Sequence, residues 1–265
     1  MTMSPTLPVR PLVGVSLKMY FGIAQTRRWL RDLRTIADEL RAADAIDLFV
    51  LPSTPAVADA RNILRGSGIE YGAQNVSDHD RGPYTGETSP ADLRELGCAF
   101  TMVGHAERRR LFGEDDAVTA AKAAALVRHA ITPVVCIGER GRDGINAAVS
   151  ACLRQIVPVI DAVPDHADLV FAYEPVWAIG APEPAAAEYI TAVAAGIRHA
   201  LPERGGAVRI LYGGSAGPGL YPALASAVDG PLFGRFVHDT GALRSALTEI
   251  VTGRRVIQSK KGIDR

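Results

Sequence analysis

The sequence predicts an α/β protein that folds as a single (β/α)8 barrel. Short apolar segments of strand length alternate with longer segments of helical periodicity, eight times along the chain. The strand segments are apolar on consecutive residues, which is typical of parallel strands covered by helices. Eight such units that close on themselves form a barrel, and an open doubly wound sheet is the main alternative.

The predicted elements follow one another without a break. In chain order the strands read LVGVS, DLFVLP, EYGAQN, AFTMVG, TPVVCIG, LVFAYE, VRILYG and PLFG. The clearest helical segments read TRRWLRDLRTIADELRAA, DAVTAAKAAALVRHA, INAAVSACLRQIV, EYITAVAAGIRHAL and ALRSALTEIV. No linker or shift in composition divides the chain. We therefore predict one domain over residues 1–265, with its core at about 12–251 and a basic, solvated tail at 252–265.

Composition argues against several classes of protein. Lysine plus arginine and aspartate plus glutamate each number 29, so the formal net charge is zero and a nucleic-acid partner is not expected. We see no signal peptide and no uncharged run of transmembrane length, so a membrane is not expected either. Cys98, Cys136 and Cys152 are too scattered for a disulfide framework, which predicts a cytoplasmic protein.

Chemistry in a barrel of this type takes place at the carboxyl ends of the strands. The residues at those ends are Lys18, Pro52, Asn75, His105, Glu139, Glu174, Gly213 and Gly234. One histidine and two glutamates do not have the spacing of metal ligands, so we expect neither a metal nor another cofactor.

Glu174 ends the sixth strand and is a candidate general base. Burial raises the pKa of a carboxylate toward that of a useful base, and Pro175 keeps the preceding residue extended. An ion pair with an arginine is the structural alternative. That alternative does not explain the apolar segment PVWAIGAPEP at residues 175–184, which we interpret as a lid that excludes water from a ligand. Gly180 in this lid can present its backbone N–H to an anion.

Lys18 and His105 are candidate partners of this base. Lys18 either extends to solvent or directs its charge at an oxyanion. His105 precedes the start of a helix, where it either caps the helix or stays neutral and polarises a carbonyl. Glu107 lies in the first turn of that helix, a position that suits an acid in any case.

The loops after strands seven and eight predict a phosphate site, since barrels often bind phosphate there. A Gly-Gly-Ser sequence by itself is usually only a turn, and an arginine nearby can pair with Asp239 instead of a ligand. The candidate residues are Gly213, Gly214, Ser215, Gly234 and Arg235.

Seven motifs together resemble the triosephosphate isomerase family. In order they read LKM, GAQNV, GPYTGETS, VGHAERR, VCIGE, AYEPVWAIG and YGGS, within residues 12 to 250. The resemblance implies a TIM barrel and a metal-independent isomerase that works through an enediolate. It implies that Glu174 is the base, His105 the neutral electrophile and Lys18 the charge that stabilises the enediolate.

The resemblance also implies binding residues and a partner. Gly180, Ser215 and Gly234 match positions that hold the phosphate of a small sugar phosphate, and Glu107 matches an acid behind the catalytic residues. The loop at residues 75–89 matches one that inserts into a second subunit. A homodimer is therefore implied, with Thr85 near the tip of the loop.

The chain departs from the family pattern around the pocket. The family motif GNWKMN reads VSLKMY here, so Ser16 replaces an asparagine that helps to hold the substrate. Ala106 replaces a serine, and Arg235 replaces a glycine of the phosphate site. Serine leaves room near the reacting carbons, and an arginine can bind a phosphate through two hydrogen bonds.

These departures favour a substrate that is one carbon larger than a triose phosphate. The chain resembles the tetrulose-phosphate (erythrulose-phosphate) isomerase branch, and the predicted reaction converts L-erythrulose 1-phosphate into D-erythrulose 4-phosphate. Ordinary triosephosphate isomerisation, between dihydroxyacetone phosphate and glyceraldehyde 3-phosphate, is the alternative. A non-catalytic sugar-phosphate binder is an alternative of another class.

Overall fold

The computed structural model describes residues 10–263 apart from Pro182, and they form a closed barrel of eight parallel strands. The strands pair in chain order, and β1 also pairs with β8. The predicted closed barrel is confirmed, and the open sheet is not formed. The strands are β1 Leu12–Ser16, β2 Asp47–Leu51, β3 Ile69–Ala73, β4 Phe100–Val103, β5 Thr132–Ile137, β6 Leu169–Tyr173, β7 Val208–Tyr212 and β8 Gly230–Phe233.

Helices cover the outside of the barrel. The five predicted helical segments correspond to α1, α5, α6, α7 and α9, whereas the other helices have eight residues or fewer. The helices are α1 Ile23–Leu40, α2 Val57–Leu64, α3 Pro90–Glu95, α4 Ala106–Phe112, α5 Asp116–Arg128, α6 Ile145–Ala162, α7 Ala187–Ala200, α8 Tyr221–Leu224 and α9 Thr240–Ile263.

The C-terminal segment, for which a solvated tail at 252–265 was predicted, begins as a continuation of the last helix. α9 continues to Ile263, and Arg254 within it is buried, with 8% of its surface exposed. The segment contains no proline, and Leu247 and Ile250 hold the preceding turns against the barrel. A basic composition therefore did not end the helix here. Residues 264 and 265 lie outside the described part.

Among the described residues, one helix, α6, is long and apolar enough to cross a membrane by length and composition alone. In this fold it packs Cys152, Ile156 and Val159 into the layer between barrel and helices. Its sequence also contains Arg154 and Asp161.

Side chains alternate between the inside of the barrel and the layer beneath the helices. In β6, Val170 and Ala172 lie in the inner cluster, whereas Leu169, Phe171 and Tyr173 lie in the outer one. A strand has a period of two residues, so the next inward position after Ala172 is Glu174. The same alternation in β1 leads through Leu12 and Ser16 to Lys18. The register of the strands therefore directs these side chains into the mouth of the barrel.

Candidate active site

Ten of the eleven predicted site residues line one open cavity of about 1650 Å³ at the carboxyl ends of the strands. They are Ser16, Lys18, His105, Glu107, Glu174, Gly180, Gly213, Ser215, Gly234 and Arg235. Gly214 is the exception. It lies beside the hydroxyl of Tyr212 and the ring of Pro175, where a side chain would not fit.

Glu174 lies at the floor of this cavity with only 6% of its surface exposed. Its backbone N–H donates to the carbonyl of Ile137, at 2.8 Å, which continues the β5–β6 pairing. Its Oε2 is buried and accepts no hydrogen bond from any described residue. No arginine pairs with it within the described chain. A buried carboxylate oxygen without a donor is unfavourable for folding, so its retention is typical of a catalytic group.

His105 caps the N-terminus of α4 with its side chain. Its Nδ1 accepts the backbone N–H of Glu107 at 3.1 Å. A nitrogen that accepts a hydrogen bond carries no proton, so the network assigns the proton of a neutral imidazole to Nε2. Nε2 lies 3.3 Å from Oε2 of Glu174 and faces the cavity. The arrangement provides one N–H donor beside one buried carboxylate.

Lys18 is held in a strained backbone conformation with φ of 49°. The amide of Gln74 stabilises this turn, because its Nε2 donates to the carbonyls of Lys18 and Leu51, both at 2.9 Å. Nζ of Lys18 donates to Oε1 of Glu107 at 2.6 Å. The lysine is therefore a fixed charge in the cavity and does not extend freely to solvent. Gln74 lies in the motif GAQNV but was not among the predicted site residues.

Glu107 connects the lysine and the histidine. Its partial burial would raise its pKa, but the hydrogen bond from Lys18 and nearby positive charges hold the pKa of Glu107 below its ordinary value. Glu107 therefore stays ionised and holds the ammonium group of Lys18 in place. The buried thiol of Cys136 has a raised pKa, chiefly through desolvation and then through Glu174, so it stays a thiol.

Side-chain hydrogen bonds join the lid at residues 175–184 to the rest of the barrel at two places. Pro182 within the lid lies outside the described residues. The hydroxyl of Ser215 donates to the carbonyl of Ala178 at 2.8 Å and contacts that of Ala181 at 3.3 Å. The indole N–H of Trp177 donates to Oε1 of Glu139 at 2.9 Å. Ser215 was predicted as a phosphate ligand, and here its hydroxyl holds the lid.

Glu139 is a site residue that the sequence analysis left without a role. It is 5% exposed and accepts hydrogen bonds from Trp177, Tyr189 at 3.0 Å and Tyr173 at 3.3 Å. Burial and the carboxylate of Glu139 raise the pKa of Tyr189 to about 12, so the tyrosine remains a donor. Only its position at a strand end signalled Glu139 in the sequence.

Ser16 and Arg235 occupy the positions where the sequence departs from the family. Ser16 is 4% exposed, and its hydroxyl makes no hydrogen bond to any residue that the structure describes. Arg235 forms no ion pair with Asp239 or with another described acid, and its Cζ lies 5.9 Å from the ring centre of Tyr20. Both polar groups therefore remain available to a ligand in the cavity.

Metal coordination has no support among the residues from 10 to 263 that are described. No group of three or more histidine, cysteine, aspartate or glutamate side chains there could hold a metal ion. The polar groups in the cavity are suited to proton transfer and anion binding.

Known proteins resemble this chain along most of its length. The triosephosphate isomerase family matches residues 11–252. An L-erythrulose-1-phosphate isomerase from Pectobacterium atrosepticum is 43% identical over 247 residues, which cover 91% of this chain and 95% of that protein. A triosephosphate isomerase from Thermus thermophilus is 42% identical over 236 residues, which cover 85% of this chain and 92% of that protein.

The crystal structure of triosephosphate isomerase from Bartonella henselae has the same fold. It superposes with a TM-score of 0.78 at 28% identity, over 91% of this chain and 99% of that one. The chain therefore belongs to the triosephosphate isomerase family, and it is an isomerase.

Proposed function

We propose that this isomerase converts L-erythrulose 1-phosphate into D-erythrulose 4-phosphate through an enediolate. Overall identity does not decide between a tetrulose and a triose substrate, because the two named relatives are 43% and 42% identical to this chain. The observation that carries the proposal is Ser16, a buried and short side chain with an unbonded hydroxyl beside Lys18. It offers both space and a hydrogen-bond partner for an additional hydroxymethyl group.

The mechanism that we propose uses three side chains. Glu174 removes the proton from C3 of the substrate, and His105 donates its Nε2 proton to the carbonyl oxygen on C2. The charge of Lys18 stabilises the oxyanion that forms. Glu174 then returns the proton to C2, while the hydroxyl on C3 gives its proton back to Nε2 of His105 and becomes the new carbonyl. No redox cofactor takes part, since the electrons move only within the substrate.

A single base also accounts for the change of handedness. Glu174 is the one carboxylate aimed at the reacting carbons, so the proton leaves and returns on the same face. In a cis-enediolate, a mirror plane relates the two carbons except for the phosphate. Protonation of one carbon or the other from one face then gives opposite configurations, so an L substrate gives a D product. One Nε2–H of His105 can serve both oxygens only when they are cis.

The phosphate and the terminal hydroxyl bind at opposite sides of this centre in our proposal. Backbone N–H groups of Gly180, Ser215 and Gly234 bind the phosphate, and Arg235 adds a charged side chain. The hydroxyl of Ser16 binds the terminal hydroxyl of the four-carbon substrate. All of these groups line the cavity that holds Glu174.

The stereochemical outcome tests the reaction directly. The purified protein is incubated with L-erythrulose 1-phosphate in D₂O, and the product is identified by NMR and by its optical rotation. We expect D-erythrulose 4-phosphate that carries solvent deuterium at C3. No conversion, or a product that keeps the L configuration, would contradict the proposal.

Triosephosphate isomerisation is the second candidate, and the 42% identity to the Thermus thermophilus enzyme supports it. In that case Ser16 leaves more room than a triose needs, and Arg235 is an additional cation beside the phosphate. The two candidates share every catalytic step, so only substrate preference separates them.

We also propose that the chain acts as a homodimer in the cytoplasm. Exposed apolar side chains lie on the segments that follow β1 and β4, with Met19 90%, Leu111 62% and Phe112 65% exposed. The loop at residues 75–89 lies at the same end, and it holds its shape through the stacked rings of His79 and Tyr84, 4.1 Å apart. A second subunit would cover these surfaces.

The three cysteines are buried and unpaired, which suits a reducing compartment such as the cytoplasm.

A further inference from the structure

We infer that Arg142 is a positioning residue for the lid, which it holds over the reacting carbons by stacking on Trp177. Cζ of Arg142 lies 4.0 Å from the centre of the indole ring. Guanidinium groups this close to an aromatic face are attracted by the ring. The inference rests on the proposed function, because it assumes a phosphorylated enediolate beneath the lid.

Arg142 does not belong to the lid. It lies in the connection between β5 and α6, residues 138–144, whereas Trp177 lies in the lid. The guanidinium of Arg142 forms no ion pair with any side chain that the structure describes, so the indole is its principal partner. Arg142 also does not line the catalytic cavity. A change at this position therefore acts on the lid without touching the substrate.

Trp177 is held on three sides. Its N–H is bonded to Glu139, and its edge meets the ring of Tyr189, with the centroids 5.8 Å apart and an angle of 63° between the planes. Arg142 covers the face of the indole. Glu139 and Tyr189 also bond to each other, at 3.0 Å, so they would persist without Trp177. Arg142 is the contact that depends on the tryptophan being in this position.

The chemical consequence concerns a side reaction of the enediolate. The oxyanion on C3 can reform its carbonyl while the electron pair of the C2–C3 double bond moves to C1–C2. The C1–O bond then breaks, and inorganic phosphate leaves with that bonding pair. A lid that stays over the enediolate suppresses this loss, since it excludes water and prevents release of the intermediate. A less firmly held lid should therefore release more phosphate for each isomerisation.

The test compares R142Q, which removes the charge at similar size, with R142K, which keeps a cation. Inorganic phosphate and isomerised product are measured together for each protein with L-erythrulose 1-phosphate and with dihydroxyacetone phosphate. We expect the ratio of phosphate to product to rise about two- to fivefold in R142Q, the factor that a partly exposed cation–π contact provides. R142K should restore part of the wild-type ratio.

A double variant establishes that Arg142 acts through the indole. W177L removes the ring, and we expect R142Q to add nothing to the phosphate ratio of W177L. Indole fluorescence in a W29F background, where Trp177 is the only tryptophan, should also change in R142Q without any substrate.

The outcomes separate the two proposals. An unchanged phosphate ratio in R142Q, or an equal further increase in the double variant, would overturn the role of Arg142. If the wild-type protein isomerised neither sugar phosphate, the proposed function would fail instead. The fluorescence measurement would then decide on the contact between Arg142 and Trp177 alone.

Discussion

Gly213 shows how one catalytic side chain determines the residue beside it. A Cβ atom at this position would lie 2.7 Å from Cγ of Glu174 and closer still to Oε1. The sequence analysis expected a glycine here to let amides approach a phosphate. The structure adds a different reason, because only glycine leaves the base in its place.

The substitution G213A should lower kcat about 100-fold, since a displacement of about 1 Å at a reacting group has this effect. KM and the unfolding transition should change much less. G217A is the matched control, because a Cβ there lies 3.7 Å from the ring of Phe236, an ordinary contact. Wild-type turnover in G213A would show that Glu174 does not need this space.

Removal of the base separates an enzyme from a binding protein. E174Q should lower kcat by three powers of ten or more, about 4 kcal/mol of activation free energy, because an amide cannot accept the carbon-bound proton. The dissociation constant for the sugar phosphate, measured by calorimetry, should stay within about tenfold. A variant that binds and turns over like the wild type would favour the non-catalytic binder.

At the scale of elements, the sequence predicted the strands but not the side-chain contacts at their carboxyl ends. Apolar runs located all eight strands, because buried parallel strands need them on both faces. Side chains whose hydrogen-bond partners lie on another element left no comparable pattern. Gln74, Glu139 and Gln155 are of this kind, and their partners are brought near only by the closed barrel.

Gln155 on α6 illustrates such a contact. Its amide donates to the carbonyl of Gly138 and accepts from the N–H of Gly138, each at 2.9 Å. Gly138 follows β5 at a level where the neighbouring strand β4 has already ended, so these two backbone groups have no partner in β4. Q155L should lower the free energy of unfolding by about 1–3 kcal/mol, because two backbone groups lose their partner. Denaturation in urea measures this change. R154L on the same helix is the control, because the side chain of Arg154 bonds to no described backbone group. Equal stability of Q155L and R154L would argue against the role.

At the scale of the whole molecule, the barrel and the family membership followed from the sequence, whereas the end of the chain did not. The basic composition after Val251 suggested a solvated tail, yet α9 extends to Ile263. Composition reports the exposure of a segment better than its backbone conformation. The order of the family motifs was more informative, because six of the seven motifs lie at the end of a strand.

The proposed dimer is a prediction at this scale. T85R places a bulky charge at the tip of the 75–89 loop, where Thr85 is exposed. We expect sedimentation to show a dimer for the wild type and a monomer for T85R, because a charge is costly to bury in an interface. T248R, at an exposed threonine on α9, should stay dimeric. A dimeric T85R would place the interface elsewhere.

The central claim concerns the substrate, and one measurement tests it most directly. The purified protein is assayed for kcat/KM with L-erythrulose 1-phosphate and with dihydroxyacetone phosphate under the same conditions. We predict that the tetrulose phosphate is preferred by about 100-fold or more, which corresponds to about 2.7 kcal/mol of transition-state discrimination. A preference for dihydroxyacetone phosphate would contradict the account and identify the space at Ser16 as a feature of an ordinary triosephosphate isomerase.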